Sequence, residues 1–382
     1  MEVSGIQEKK MITLTSAQKV NWVSAGMMGT RKIVFLLIFV FGTACDPTFS
    51  RIIRYRDSDV FDFKLFPGRR VQGNTLTFSI PAGRSRKLAG LDDLMKNETL
   101  ALLVMRNDTI VFEKYAPNFG PDSLAQYFSM TKSIMSLLIG CAIADGLINS
   151  ELDLITRYIP ELQSAGFNQR TILDLLQMRA QVNYTENDSP FGRHARFYYT
   201  DCLEEEILNL SVDPSRNREF NYQSCNTAIL GLILKRALDS ESVAQYLSRR
   251  LWLPAGMSDN AIWTTDKENG LEKTWCCLAG TARDFLRVGQ LVAHYGTIEG
   301  TVIVPKNWMD KILTDSTNAN ARYNRHWWLY PEFNAVAAIG KDGQFAFIVP
   351  SKNLVIVRTG TGLNGLSRQQ WLEIFNKITT SL

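Results

Sequence analysis

Behind Ser129 the apolar residues Met130, Ile134, Leu137, Leu138 and Cys141 fall at helical spacing, and Gly146 supplies a natural stop. The pattern predicts a helix that opens at Ser129 and ends at Gly146. Thr99 to Met105 and Thr109 to Lys114, joined by Arg106-Asn107-Asp108, read as a β-hairpin. Helical patterns dominate from Ser129 to about Leu253, among them Thr171 to Met178, Thr227 to Leu238 and Ser242 to Leu251, and a further one covers Thr281 to Tyr295. Three short apolar runs follow, Asn334 to Ile339, Gln344 to Val349 and Leu354 to Arg358, broken by Lys341-Asp342-Gly343 and Ser351-Lys352-Asn353. They predict three consecutive antiparallel strands, with a last helix over Leu366 to Lys377. Strands drawn from both ends of the chain around a helical middle imply an α+β fold, one antiparallel sheet with an inserted helical lobe.

The N-terminal region has a different pattern. An apolar run from Ile33 to Phe41 follows Arg31-Lys32 and precedes Gly42-Thr43-Ala44-Cys45, which are the charged, apolar and small-residue parts of a secretory signal. The run is too short to cross a bilayer comfortably. A cysteine directly after small residues resembles a bacterial lipobox, so Cys45 is expected to carry a lipid anchor as the first mature residue, although Gly42 stands where such sites usually hold an aliphatic residue. The charged region begins at Met27 or Met28, and residues 1–26 read as an over-long start. The expected organisation is then a signal over 27–44, a polar tether over 45–70 and one domain over 71–382. The protein is expected to be exported to the periplasm or cell envelope.

Composition narrows the function classes. With 45% hydrophobic and 21% charged residues, 382 residues can bury the core of a soluble globular domain. The formal charge of +4 shrinks to about +1 without residues 1–44, leaving 37 basic against 36 acidic side chains, so nothing favours nucleic-acid binding. Cys141, Cys202, Cys225, Cys276 and Cys277 form no metal pattern, and His194, His294 and His326 are not spaced as ligands. No metal or other cofactor is expected. Cys141 reads as a small core residue on its helix, and any disulfide pairing stays open.

The chemistry starts at the predicted helix. Ser129 and Lys132 are three residues apart and share a face, which sets a hydroxyl nucleophile beside an amine base. Alone the pattern is not specific, because Ser16-Ala17-Gln18-Lys19 repeats it. Order and context add weight: Tyr222-Gln223-Ser224 follows some ninety residues later, and Lys341-Asp342-Gly343-Gln344 opens a predicted strand. These are the parts of a Ser/Lys/Tyr acyl-transfer site. A histidine-based serine hydrolase is disfavoured by the lack of a Gly-x-Ser-x-Gly elbow and the shortage of histidines.

In this order the motifs resemble the serine β-lactamase and penicillin-binding-protein superfamily, in the branch that holds class C β-lactamases, carboxylesterases and 6-aminohexanoate-dimer hydrolases. The resemblance covers roughly residues 95 to 380 and extends to Thr171-Ile172-Leu173-Asp174-Leu175-Leu176-Gln177-Met178, Asn226-Thr227-Ala228-Ile229-Leu230-Gly231 and Leu278-Ala279-Gly280-Thr281-Ala282-Arg283-Asp284-Phe285. It implies a β-lactamase/transpeptidase-like fold, with a sheet lobe at about 71–128 and 271–382, a helical lobe at about 129–270 and the site between them. It also implies that Lys132 and Tyr222 share the proton transfer from Ser129, with Tyr222 protonating the leaving group. The implied oxyanion donors are the backbone N–H groups of Ser129 and Gln344, with Gly343 allowing close approach of the substrate. Lys341 and Ser224 would hold substrate, and Tyr184 belongs to an aromatic-rich loop at the pocket wall. An unperturbed lysine titrates at ~10.4 and a tyrosine at ~10, so burial of Lys132 near a second cation at Lys341 is the expected route to a usable base.

Two positions depart from the β-lactamase pattern. Ser224 stands where β-lactamases carry Asn, and Asp342 where they carry Thr or Ser. A carboxylate at 342, if turned to the pocket, would repel an anionic substrate. The expectation is therefore a serine hydrolase acting on an uncharged small-molecule ester or amide. The alternatives are a β-lactamase, a D-Ala peptidase, or a non-catalytic protein that binds cell-wall or peptide ligands.

Overall fold

The computed structural model describes residues 47–55, 57–74, 90–187, 189, 191–257, 260–314 and 322–382. The signal-like run and Cys45 lie outside them. Pro47–Leu382 clusters as one compact unit.

Seven antiparallel strands make the main sheet, in the spatial order Thr109–Tyr115, Thr99–Arg106, Leu354–Gly360, Phe345–Val349, Ala335–Ile339, Trp327–Tyr330 and Tyr323–Asn324. Alternation along each strand sends neighbours to opposite faces. Ala101, Leu103, Met105, Val355 and Val357 join the larger core cluster, which also holds the Ala282–Ala293 and Met130–Ala144 helices. Leu102, Val104, Phe345 and Phe347 pack instead against Trp371, Leu372 and Phe375 of the C-terminal helix Arg368–Ser381. Gly289 allows the first of those helices to sit close, since a Cβ there would lie 2.4 Å from Val355.

The helix that follows Ser129, Met130–Ala144, is buried on every side from Met130 to Ala142 rather than along one stripe. Its polar side chains consequently need partners inside the protein. Thr131 Oγ1 donates to Cys276 O at 2.6 Å and Ser133 Oγ to His326 O at 2.7 Å. These bonds pin the helix to two later segments of the chain.

Outside the main sheet the chain departs from a single-sheet reading. A second antiparallel sheet joins Gly68–Val71, Ala261–Thr264, Leu278–Gly280 and Ala125–Gln126, and a two-stranded ribbon pairs Thr297–Ile298 with Thr301–Val302. Residues 47–70, expected as tether, carry the helix Pro47–Tyr55 and lead into the first strand of this second sheet. Ile52 and Phe66 are buried there. The second sheet matters for the site, because Ala125–Gln126 ends three residues before Ser129.

Candidate active site

Phe128 carries the chain out of that short strand with φ +48, a left-handed conformation that a non-glycine residue adopts only under constraint. The reversal sets Ser129 at the N-cap of the Met130–Ala144 helix, with its backbone N–H at the positive end of the helix dipole. One turn on, Lys132 is 1% exposed, and its Nζ donates to Ser129 Oγ at 2.8 Å and to Trp275 O at 2.9 Å. The same Nζ lies 5.0 Å over the Tyr222 ring. Tyr222 is sandwiched in turn, stacked on Trp328 at 6.0 Å and met edge-on by Tyr323 at 5.9 Å. The three side chains of the acyl-transfer motif thus converge.

Tyr222 is fixed through its neighbours. Gln223 Nε2 donates to Val182 O at 2.8 Å and Tyr184 O at 2.6 Å. Ser224 opens the helix Ser224–Ala237, and both its backbone N–H and its hydroxyl donate to Glu186, each at 2.7 Å. A carboxylate at a helix N-terminus is favoured there by the dipole. Ser224 is therefore spent on Glu186. Tyr184 is buried behind the cavity wall, its hydroxyl 2.9 Å from His194 Nδ1, and burial holds its phenol well above the ordinary range.

The Lys341 motif sits in the hairpin between the fifth and fourth strands of the main sheet. Gly340 N donates to Gln344 O at 2.8 Å and Gln344 N to Lys341 O at 3.3 Å, with Asp342 and Gly343 at φ +56 and +75. Phe345–Val349 is paired on both sides, so it is an interior strand and not an edge. Gln344 is wholly buried and its side chain bonds Gly360 O, while a Cβ on Gly343 would meet the Arg358 guanidinium at 1.9 Å. Gly343 faces Arg358 and Gln344 turns to Gly360, and neither lines the catalytic cavity. The glycine of close approach is Gly340, where a Cβ would lie 2.4 Å from Tyr127 O, in the turn that delivers Ser129.

Lys341 does line the cavity, but its Nζ is bonded to Ser58 O at 3.0 Å and Ser58 Oγ at 2.8 Å, and it lies 5.8 Å over Phe128. The segment 47–70, an arm rather than a tether, thus reaches the site. Asp342 is not among the lining residues; partial burial raises its carboxyl above the usual range, and Lys341 pulls the other way.

The cavity itself has a volume of about 450 Å³. Ser129, Tyr222, Ser224, Gly340 and Lys341 line it together with Trp275 and Trp328 and with Glu186, His194, Cys276 and Arg368, the last four of which the motifs did not single out as site residues. Cys276 is disulfide-bonded to the adjacent Cys277, beside the Trp275 carbonyl that holds Lys132. Behind the lysine, burial first and Lys132 second push the His326 imidazole down to about 3, which keeps it neutral while its Nε2 meets Thr227 Oγ1 at 3.0 Å. Among the described residues no His/Cys/Asp/Glu group could hold a metal ion.

Comparison with known proteins bears on the family and the fold. Residues 90–373 match the beta-lactamase family model. The 6-aminohexanoate-dimer hydrolase of Paenarthrobacter ureafaciens is 28% identical over 284 residues, 68% of this chain and 72% of that protein. Among solved structures, a candidate 6-aminohexanoate-dimer hydrolase from Bacillus anthracis superposes with a TM-score of 0.75 at 21% identity, over 85% of this chain and 92% of that one. A class C β-lactamase in complex with cefoxitin superposes with a TM-score of 0.56 at 14% identity, covering 76% and 96%. The fold is shared with both, and with the family match spanning most of its length the chain belongs to the beta-lactamase family of hydrolases.

Proposed function

We propose that the protein cleaves an ester or amide through an acyl-enzyme on Ser129. The observation that carries this reading is the 2.8 Å contact between Lys132 Nζ and Ser129 Oγ, made by a buried lysine beneath the Tyr222 ring. Ser129 Oγ attacks the carbonyl carbon and its proton passes to the Lys132/Tyr222 pair, which returns a proton to the departing alcohol or amine. Water then repeats the sequence on the acyl-enzyme and frees the acid. The oxyanion is held by the Ser129 backbone N–H and by that of Lys341, which follows Gly340 at the cavity wall; the Gln344 N–H is already given to Lys341 O.

Substrate choice follows from where the polar groups are committed. The Ser224 hydroxyl, at the position where β-lactamases carry the amide-binding Asn, is engaged by Glu186, and that carboxylate lines the cavity. This favours ester or amide hydrolysis over β-lactam hydrolysis, in line with a relative named 6-aminohexanoate-dimer hydrolase. A panel of p-nitrophenyl esters, a linear amide dimer and a chromogenic cephalosporin, run on wild type and Ser129→Ala, tests it. Turnover of the esters or the dimer, lost in the variant, is expected. Faster hydrolysis of the cephalosporin than of the neutral esters at matched concentration replaces the assignment with β-lactamase.

Export with a lipid on Cys45 completes the proposal, on the strength of the Ile33 to Phe41 run and the small residues before the cysteine. Wild type is expected in the detergent phase, and Cys45→Ser should not be processed at that site. A soluble wild-type protein that begins at another residue rules the anchor out.

A further inference from the structure

A second cavity, of about 480 Å³, opens beside the catalytic one and shares Ser58, His194, Tyr198 and Lys341 with it. Its own wall combines Ile52 and Ile53 from the Pro47–Tyr55 helix with Phe191, Ala195 and Tyr199 from the segment after Glu186, and carries Asp57, Asn187 and Ser189 as its polar members. Ile53 is 54% and Phe191 61% exposed, and both belong to the lining of this one cavity. The two walls are tied together, because Phe49 stacks on Phe191 at 5.8 Å and Arg51 Nη1 donates to Tyr199 O at 3.1 Å and Asp266 O at 3.1 Å. The annex is a built feature of the arm.

Charge limits what can occupy it. The Lys341 ammonium stands at the neck, held by Ser58, and Asp57 is the acidic group on the lining. Among the described residues Lys341 is the one lysine or arginine on the lining, with His194 beside it at the shared neck, so an anionic tail meets no described ammonium or guanidinium deeper in. The lining residues held in common make the annex continuous with the cavity where the scissile bond would lie, so its occupant belongs to the substrate.

We propose that the annex binds a linear, uncharged aliphatic chain attached to the scissile ester or amide, so that the enzyme selects medium-chain substrates over acetyl or methyl ones. This rests on Ser129 as nucleophile. Apolar pockets discriminate chain length by about 10-fold or more per site. The test is kcat/KM along two series, p-nitrophenyl acetate to octanoate for a chain on the acyl side and methyl to octyl acetate for a chain on the leaving side. In at least one series the octyl member should exceed the shortest by about 10-fold or more, and Ile53→Asp and Phe191→Asp should each reduce that ratio by about 10-fold. Both side chains are more than half exposed, so these variants are expected to fold. A flat profile in both series, or an unchanged ratio in both variants, overturns the annex. Hydrolysis of the acetate that survives in Ser129→Ala overturns the nucleophile instead, and the two failures are therefore distinct.

Discussion

The start of the Met130–Ala144 helix and the Gly340–Gln344 hairpin both carry motif residues, yet only the first places them as spacing alone predicts. Within a helix, three residues fix a shared face, and Ser129 and Lys132 meet at 2.8 Å. In the hairpin, the left-handed Asp342 and Gly343 rotate successive residues in different directions. Lys341 stays on the cavity, while Gly343 and Gln344 turn to Arg358 and Gly360. Backbone geometry that a sequence leaves undetermined thus decides which amide and which glycine serve the site.

Lys132→Ala should produce the largest loss, about 1,000-fold or more in acyl transfer, because it removes the side chain bonded to Ser129 Oγ. Tyr222→Phe should lose at least ~100-fold with the fold retained by circular dichroism. Activity within a few fold of wild type would leave the base role wholly to Lys132.

Gly340 and Gly343 separate the two roles within the hairpin. In Gly340→Ala the new methyl must displace the Tyr127 carbonyl, which shifts Ser129, and a displacement of about 1 Å is expected to cost about 100-fold in kcat/KM. In Gly343→Ala the methyl meets Arg358 at a positive φ, so stability should fall by roughly 1–3 kcal/mol while the folded fraction keeps its rate. Equal kinetic damage from the two variants would contradict the assignment of Gly340.

Reduction offers a smaller effect. Opening the Cys276–Cys277 bond frees the segment whose Trp275 and Cys276 carbonyls accept from Lys132 and Thr131. Dithiothreitol should lower kcat by about 10-fold at most, with two thiols newly alkylated by mass, and the double Cys→Ser variant should match the reduced enzyme. The smallest effect belongs to Asp342→Thr. Since this carboxylate lies off the cavity, rates on neutral and anionic substrates should both change by less than about threefold.

What the sequence conveyed follows the same division. Local periodicity located the central helix, the Thr99–Arg106 and Thr109–Tyr115 hairpin and the three strands around Lys341 and Ser351 to within a few residues. The second sheet was not legible, because Ala125–Gln126 and Leu278–Gly280 are too short to show alternation. Nor was the arm. Its helix PTFSRIIRY has mixed polarity and reads as tether until Ile52 and Phe66 are seen buried. Glu186 carried no signal either, as a lone carboxylate in the polar run Thr185 to Ser189 resembles any solvated loop, and only the fold brings it to Ser224. The adjacency of Cys276 and Cys277 was visible, but a bond between neighbouring cysteines is not a default pairing.

Ser129 is the side chain expected to become acylated, and no other. Incubation with a fluorophosphonate followed by peptide mass spectrometry should show a single adduct on the peptide that bears Ser129, absent from Ser129→Ala and slowed in Lys132→Ala. An adduct on a different residue, or labelling that persists in Ser129→Ala, would contradict it.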